Sequence, residues 1–251
     1  KTTNRGDSWT EISSMNSSDK LRSIAIAPSN SQVLYTADLY NIWKTTDGGS
    51  SWTDISSGLP GNQITYIAVK HNDPNTLWVT LGGYDSNGIY KSTDGGSSYT
   101  NITGSLPQLP VYTVVQNKLE TTEDHLYVGT EVGVYFKQGT ANWQLYSTNL
   151  PNVKIDELEI YYDETTVENS RLRAATYGRG LWESPIVLSG SYPPSLSTDN
   201  AANITQTSAT LNATINNNNG ETITETGFVY ATTPSPEIGG TGVTQITTNP
   251  V

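Results

Sequence analysis

The 251 residues are enough for one or two domains with real cores, and 24 acidic against 13 basic residues give a net charge of −11, which argues against nucleic acid or an anionic membrane as a partner. No cysteine is present, which excludes disulfides, thiol catalysis and Cys-ligated metal, and no apolar run is long enough to span a bilayer. Charged residues make up only 15% of a chain rich in Ser, Thr, Asn and Gly, a composition that reads as a secreted bacterial β-protein and predicts an extracellular location.

The chain opens on Lys1-Thr2-Thr3-Asn4-Arg5-Gly6-Asp7-Ser8-Trp9, which aligns without a gap with Lys44-Thr45-Thr46-Asp47-Gly48-Gly49-Ser50-Ser51-Trp52. The phrase returns as Lys91-Ser92-Thr93-Asp94-Gly95-Gly96-Ser97-Ser98-Tyr99, a step of 47 residues. A period of roughly 40–50 residues points to solenoids, propellers or arrays. Four units begin near Leu21, Ile64, Val111 and Ile155. In each, Ile24, Ile67, Val114 or Leu158 centres an alternating apolar run, which is strand grammar of period two. Leu34-Tyr35, Leu77-Trp78, Leu126-Tyr127 and Leu172-Arg173 mark a second strand, and Ile42-Trp43, Ile89-Tyr90, Val134-Tyr135 and Leu181-Trp182 a third. A fourth carries Trp9, Trp52, Tyr99 or Trp143. Each unit is therefore a four-stranded antiparallel blade, and no helical period competes with it in residues 1–188. The predicted fold is all-β: propeller blades over residues 1–188, with all six Trp at repeat positions and packing between neighbouring blades. Leu59-Pro60, Leu106-Pro107 and Leu150-Pro151 precede inner strands, where proline pre-sets the entry. The last unit shows no repeat phrase after Trp182. Its outer strand is expected either from residues 8–12, closing a four-bladed ring, or from residues 185–188, and an arc of a larger propeller is the preferred arrangement.

Residues 189–195, Ser-Gly-Ser-Tyr-Pro-Pro-Ser, read as a linker. Beyond it Thr207 to Ile215 alternates strictly, residues 216–220 make a turn, and Thr226-Gly227-Phe228-Val229-Tyr230 is a further strand. This stretch, residues 196–251, resembles the first half of a bacterial fibronectin type III or immunoglobulin-like module, a β-sandwich of about 100 residues. Both termini are expected to be cuts within something longer.

The phrase Ser/Thr-x-Asp-x-Gly-x-x-Trp/Tyr at 45–52 and 92–99 resembles the Asp-box (BNR) motif of sialidases, sortilin-type receptors and xyloglucan-cleaving glycoside hydrolases. Worn copies lie at 2–9 and 137–143, and Ala175-Thr176-Tyr177-Gly178-Arg179-Gly180-Leu181-Trp182-Glu183 resembles the close of a last blade in secreted bacterial Asp-box proteins. The chemistry of the motif is that of a turn: Asp47 and Asp94 accept backbone N–H groups, Gly49 and Gly96 allow positive φ, and Trp52 and Tyr99 anchor the next strand. A weak calcium site is the alternative. The resemblance further implies that this turn faces away from the ligand side. Asn4 and Gln138-Gly139-Thr140 replace the acid in the worn copies, as a dispensable staple would allow.

The loops joining second and third strands meet at the other end of a propeller channel. They hold Asp38 and Tyr40, then Tyr84 and Asp85, then Glu131, and finally Tyr177 and Arg179. Tyrosines beside carboxylates suit a neutral glycan, because rings stack on sugars and carboxylates accept hydroxyl hydrogen bonds. The plain alternative makes these acids solvated turn residues and Arg179 a structural clamp. His71 and His125 are expected in surface hairpins. No cofactor and no metal is expected, and motifs of serine hydrolases, metallohydrolases and phosphate loops are absent. Two functions remain: a secreted or cell-surface module binding glycan or protein, and a xyloglucanase-like glycoside hydrolase using carboxylates at the channel mouth. A passenger or subunit of a larger surface assembly is a third.

Overall fold

A computed structural model describes residues 2–11, 20–188, 195–217, 223, 225–232, 236 and 239–248. The chain divides into two compact units, residues 1–186 and 187–251.

The first unit consists of successive antiparallel sheets that follow the sequence repeat. β1 (Ser23–Ile26), β2 (Leu34–Ala37), β3 (Ile42–Thr45) and β4 (Thr53–Asp54) form one sheet in that order. β5 (Ile64–Val69), β6 (Leu77–Leu81), β7 (Ile89–Ser92) and β8 (Thr100–Asn101) form the next. β9 (Val111–Gln116), β10 (His125–Thr130), β11 (Gly133–Gln138) and β12 (Gln144–Leu145) form the third. The fourth holds only β13 (Ile155–Tyr161), β14 (Arg171–Thr176) and β15 (Gly180–Pro185). The first three are propeller blades in strand number, order and direction, and the fourth is one in order and direction. Register repeats as well: Ile24 pairs with Thr36, Ile67 with Val79, Val114 with Val128 and Leu158 with Ala174.

Among the described residues neither expected source supplies the fourth blade's outer strand: no strand forms in residues 8–11, residue 12 of that segment lies outside the described residues, and β15 ends at Pro185. Among the described residues each blade packs on its sequence neighbour, and the first and fourth do not pack together as neighbours do. The four blades therefore form an arc and not a closed ring.

Apolar side chains gather between blades. Tyr35 and Ile42 of the first blade meet Ile64, Ile67 and Leu77 of the second, all buried. One step on, Trp78 and Ile89 of the second meet Val111, Val114, Leu126 and Trp143 of the third. Asp124 clips the same pair of blades, accepting Lys70 at 2.7 Å and Lys91 at 2.6 Å. Burial works to raise its pKa, but the hydrogen bonds from Lys70 and Lys91 prevail and hold it below the usual carboxylate range.

The expectation for tryptophan holds in the interior and fails at both ends of the arc. Trp78 is 0% exposed and Trp143 6%, while Trp9 is 74% exposed and Trp182 39%. The interior pair have a blade on each side, whereas Trp9 belongs to a turn without strands and Trp182 to the end blade. His125 is a second correction: it lies in β10 and is fully buried, packed edge-on against Phe136 at 5.3 Å between ring centroids. The polar hairpin around it masks its core position. His71 is partly buried, and its backbone N–H donates to the Gln116 side chain.

The Asp-box turns fold alike. In the second blade Asp94 accepts the Ser98 N–H at 2.9 Å and its hydroxyl at 2.6 Å, and the Ser92 hydroxyl donates to it at 2.8 Å. Asp47 makes the matching contacts with Ser51 and Thr45. Gly49 and Gly96 sit at φ +101° and +91°, a region only glycine enters without strain. In the first, worn copy Asn4 accepts the Ser8 N–H at 3.0 Å, so an amide oxygen serves as well as a carboxylate. The aromatic that follows seats on the preceding blade: Tyr99 donates to the Ile55 carbonyl and the Trp143 indole to the Ile102 carbonyl.

In the second unit β16 (Ser195–Thr198) pairs with β17 (Ala213–Asn217), and β18 (Thr226–Tyr230) with β19 (Thr244–Thr248). The β18 position coincides with the expected strand, while the alternating run contributes a bridge at Thr210 and then β17. Most of the expected linker and residues 218–220 of the expected turn lie outside the described residues.

Two outcomes follow from the packing and the turns. Replacing Trp78 by Ala empties an interblade seat and costs about 3–5 kcal/mol in chemical denaturation, whereas the same change at Trp9 leaves the midpoint unaltered. Hydrogen bonds, led by the Ser98 hydroxyl, lower the Asp94 pKa from 3.8 to about 2. A depressed carboxyl stabilises the fold above its unfolded value, and that contribution is lost as pH falls from 3.8 towards 2. In Asp94→Asn the turn persists, as it does at Asn4, and melting temperature against pH loses this part of the acid limb. An unchanged acid limb would show that the turn is not the titrating element.

Candidate functional site

The loops between second and third strands of the blades lie at one end of the first unit, beside the starts of inner strands. Backbone bonds tie them there: the Gly82 N–H donates to the Gln63 carbonyl and Tyr177 to Lys154 within their own blades, while the Ile64 N–H reaches the Leu39 carbonyl of the preceding blade. A surface cavity of about 510 Å³ opens at this end, walled by Tyr40, Tyr84 and Tyr112, with Asn62, Gln63 and Thr65 as polar lining and Gly61, Gly82, Gly83 and Pro110 completing it. Tyr40 is 49% exposed and Tyr84 68%, so two aromatic faces of different blades are open to solvent.

Each wall is held by its neighbours. The Tyr84 hydroxyl donates to Glu131 Oε2 at 2.7 Å, a bond between equivalent loops of adjacent blades. That hydrogen bond to Glu131 is the main reason the Tyr84 pKa lies above the ordinary phenol value. Burial, then the Glu131 charge, raise that of Tyr112. The Lys154 ammonium stands 4.4 Å from the Tyr112 ring centroid and 5.8 Å from that of Tyr177, and it pairs with Asp156 at 2.7 Å. Asp85 accepts the Asn62 amide at 2.8 Å and the Asn87 N–H at 2.9 Å. Those bonds, Asn62 first, hold its carboxyl below the usual range. Gly83 has φ +134°, and a Cβ there would stand 2.7 Å from the Asn62 amide nitrogen, so glycine is needed where the wall turns.

The candidates from the sequence separate into two groups. Tyr40 and Tyr84 line the cavity, with Asp85 and Glu131 immediately behind the Tyr84 wall. Asp38 does not face solvent: it is 1% exposed and accepts the Tyr40 and Asn41 N–H groups at 2.9 and 2.7 Å, so it shapes the loop that presents Tyr40. Tyr177 is 72% exposed and, with exposed Arg179, belongs to the fourth blade's loop outside the cavity lining. Sequence reasoning missed Asn62, Gln63, Tyr112 and Lys154, which come from the starts of inner strands. Their equivalence across units, directly after the Leu-Pro connectors, was the available signal.

Chemically the cavity offers ring faces and amides. A glycosidase requires one carboxyl acid kept protonated near neutrality beside a second carboxylate. Asp85 is shifted the opposite way, and Asp38 is buried with one carboxylate oxygen accepting two backbone N–H groups. No group of three or more His, Cys, Asp or Glu that could hold a metal ion occurs among the described residues. No helix among them is long and apolar enough to cross a membrane.

Residues 1–167 match the family model described as Sortilin-Vps10: Sortilin, neurotensin receptor 3. No curated protein matches the chain. Among solved structures, the GH74 xyloglucanase of Xanthomonas campestris is 16% identical with a TM-score of 0.49, over 64% of this chain and 28% of its own. The extracellular domain assigned to a hybrid two-component system of B. thetaiotaomicron is 19% identical with a TM-score of 0.48, over 69% of this chain and 21% of its own. YCF48 from Cyanidioschyzon merolae is 15% identical with a TM-score of 0.45, over 73% and 61%. The chain thus spans less than a third of the first two structures, and likenesses this distant carry no functional inference.

The bond across the blade boundary makes a spectroscopic prediction. In Glu131→Ala, Tyr84 loses its acceptor and ionises at lower pH, read as the ultraviolet difference titration against Tyr84→Phe. Glu131→Gln keeps an acceptor oxygen but removes the charge, and its Tyr84 titrates between the two.

Proposed function

We propose that this chain, which belongs to the Sortilin-Vps10 family, serves as an extracellular binding module that takes a neutral glycan at the Tyr40, Tyr84 and Tyr112 cavity. The observation that carries the reading is the pairing of open tyrosine faces with amide and hydroxyl side chains in one cavity of about 510 Å³. Sugar rings offer C–H faces that stack on aromatics and hydroxyls that pair with amides, and cavities of this size class suit ligands of a few rings. An acidic chain carrying −11 favours a ligand without strong negative charge.

Catalysis is not part of this reading, because the loop acids serve as hydrogen-bond acceptors for turn and wall. Secretion by a bacterium rests on composition, and the second unit serves in this reading as an immunoglobulin-like spacer that follows, in sequence, a propeller of which these four blades are an arc.

A glycan array on the chain, followed by calorimetry on the best neutral oligosaccharide, tests it. Tyr84→Ala and Tyr112→Ala each weaken binding about fivefold, since losing one stacking face costs on the order of 1 kcal/mol. Asp94→Ala, at the opposite turn, leaves affinity unchanged. No binding to any glycan, or equal loss from Asp94→Ala, would refute the assignment.

A further inference from the structure

The loop end of the first unit carries a tyrosine from each of its blades: Tyr40, Tyr84, Tyr112 and Tyr177 in turn. The cavity takes in the first three and stops short of the fourth. Lys154, just before the fourth blade's inner strand, connects Tyr177 to the others, because its ammonium stands over both the Tyr112 and the Tyr177 rings. Tyr112 is therefore shared: it walls the cavity and also meets the ion pair that Lys154 makes with exposed Asp156. The fourth ring is held in place by its own loop. The Tyr177 N–H donates to the Lys154 carbonyl at 2.9 Å, the Thr176 hydroxyl to Gly180 at 2.6 Å, and the Trp182 indole to Arg179 at 2.9 Å. Its exposure belongs to loop tips in general, since Tyr84, with a blade on either side, is 68% exposed.

We propose that Tyr112, Lys154, Asp156 and Tyr177 form a second subsite continuous with the cavity, and that the ligand is a linear neutral glycan lying across the seam between the third and fourth blades. The proposal rests on the glycan reading of the cavity given above. An ammonium and a carboxylate paired at 2.7 Å beside a ring face present little net charge to an anion. Together they still donate and accept charge-assisted hydrogen bonds, and neighbouring hydroxyls of one sugar can answer both. The hydrogen bond to Asp156 is the main reason the Lys154 pKa lies above the ordinary ammonium value, so the pair persists through the neutral range. Tyr177 adds a stacking face for the sugar's C–H side. Rings carried on successive blades offer such faces in series. A linear chain can use them together, whereas a single sugar reaches one or two.

Calorimetry on the whole chain with one neutral oligosaccharide series, disaccharide to hexasaccharide, in the linkage that binds best on the array, tests this. Affinity should rise with length. Tyr177→Ala should weaken the hexasaccharide about fivefold, the loss of one stacking face, and leave the disaccharide unchanged. Tyr177→Phe keeps the ring and should bind both as the native chain does, while Tyr84→Ala weakens both. A Tyr177→Ala variant that binds every length normally, or an affinity that does not rise with length, overturns the second subsite, and losses in Tyr84→Ala would then leave the cavity reading standing. A hexasaccharide carrying uronate groups that binds more tightly than the neutral one also overturns it, since Lys154 would then be acting as a free cation. Binding of no oligosaccharide at any length removes the cavity reading and the subsite together.

Discussion

The apolar seam between consecutive blades is the interaction on which the rest of the structure depends. A four-stranded sheet of this size has two faces and cannot bury either alone. Tyr35 and Ile42 are covered because Ile64 and Ile67 arrive from the next repeat, and Trp78 and Ile89 because Val111 and Val114 do. Stability therefore accumulates blade by blade, as in other repeat architectures where each unit contacts its neighbours. Polar contacts follow the same seams: Tyr99 and Trp143 reach back to carbonyls of the preceding blade, and Asp124 gathers two lysines across one.

Within a blade, the Asp-box turn secures a fourth strand of only two residues, such as β4 or β8. A ladder so short holds little by itself. The turn compensates with a carboxylate or amide oxygen that collects the Ser51, Ser98 or Ser8 N–H, and at Tyr99 with an aromatic hydroxyl that reaches the preceding blade. The motif thus works at the outer rim, and the opposite end of the sheets is left to vary. There the loops differ in length and carry Tyr40, Tyr84 and Tyr177 on frames that the seams hold rigid.

Much of this was legible in the residues, because alternation and a 47-residue step are properties of backbone pairing that survive without tertiary context. Strand order, turn chemistry and the loop end that carries Tyr40 and Tyr84 all followed from register. Two kinds of feature did not. Burial at the ends of the arc depends on what lies beside a blade, so Trp9 and Trp182 share a repeat position with buried aromatics and yet stand in solvent. Side-chain direction was the other: Asp38 turns inward to its own loop, and His125 hides in a polar-looking hairpin. Tyr112 and Lys154 escaped notice because a cavity wall draws on the next blade's inner strand, tens of residues away in sequence.

The Tyr84 to Glu131 bond ties loops of two separate sheets by a single hydroxyl. The Tyr84 backbone belongs to one sheet and the acceptor of its hydroxyl to the next, so the tilt of this exposed ring is set by the relative position of two blades and not by its own loop alone.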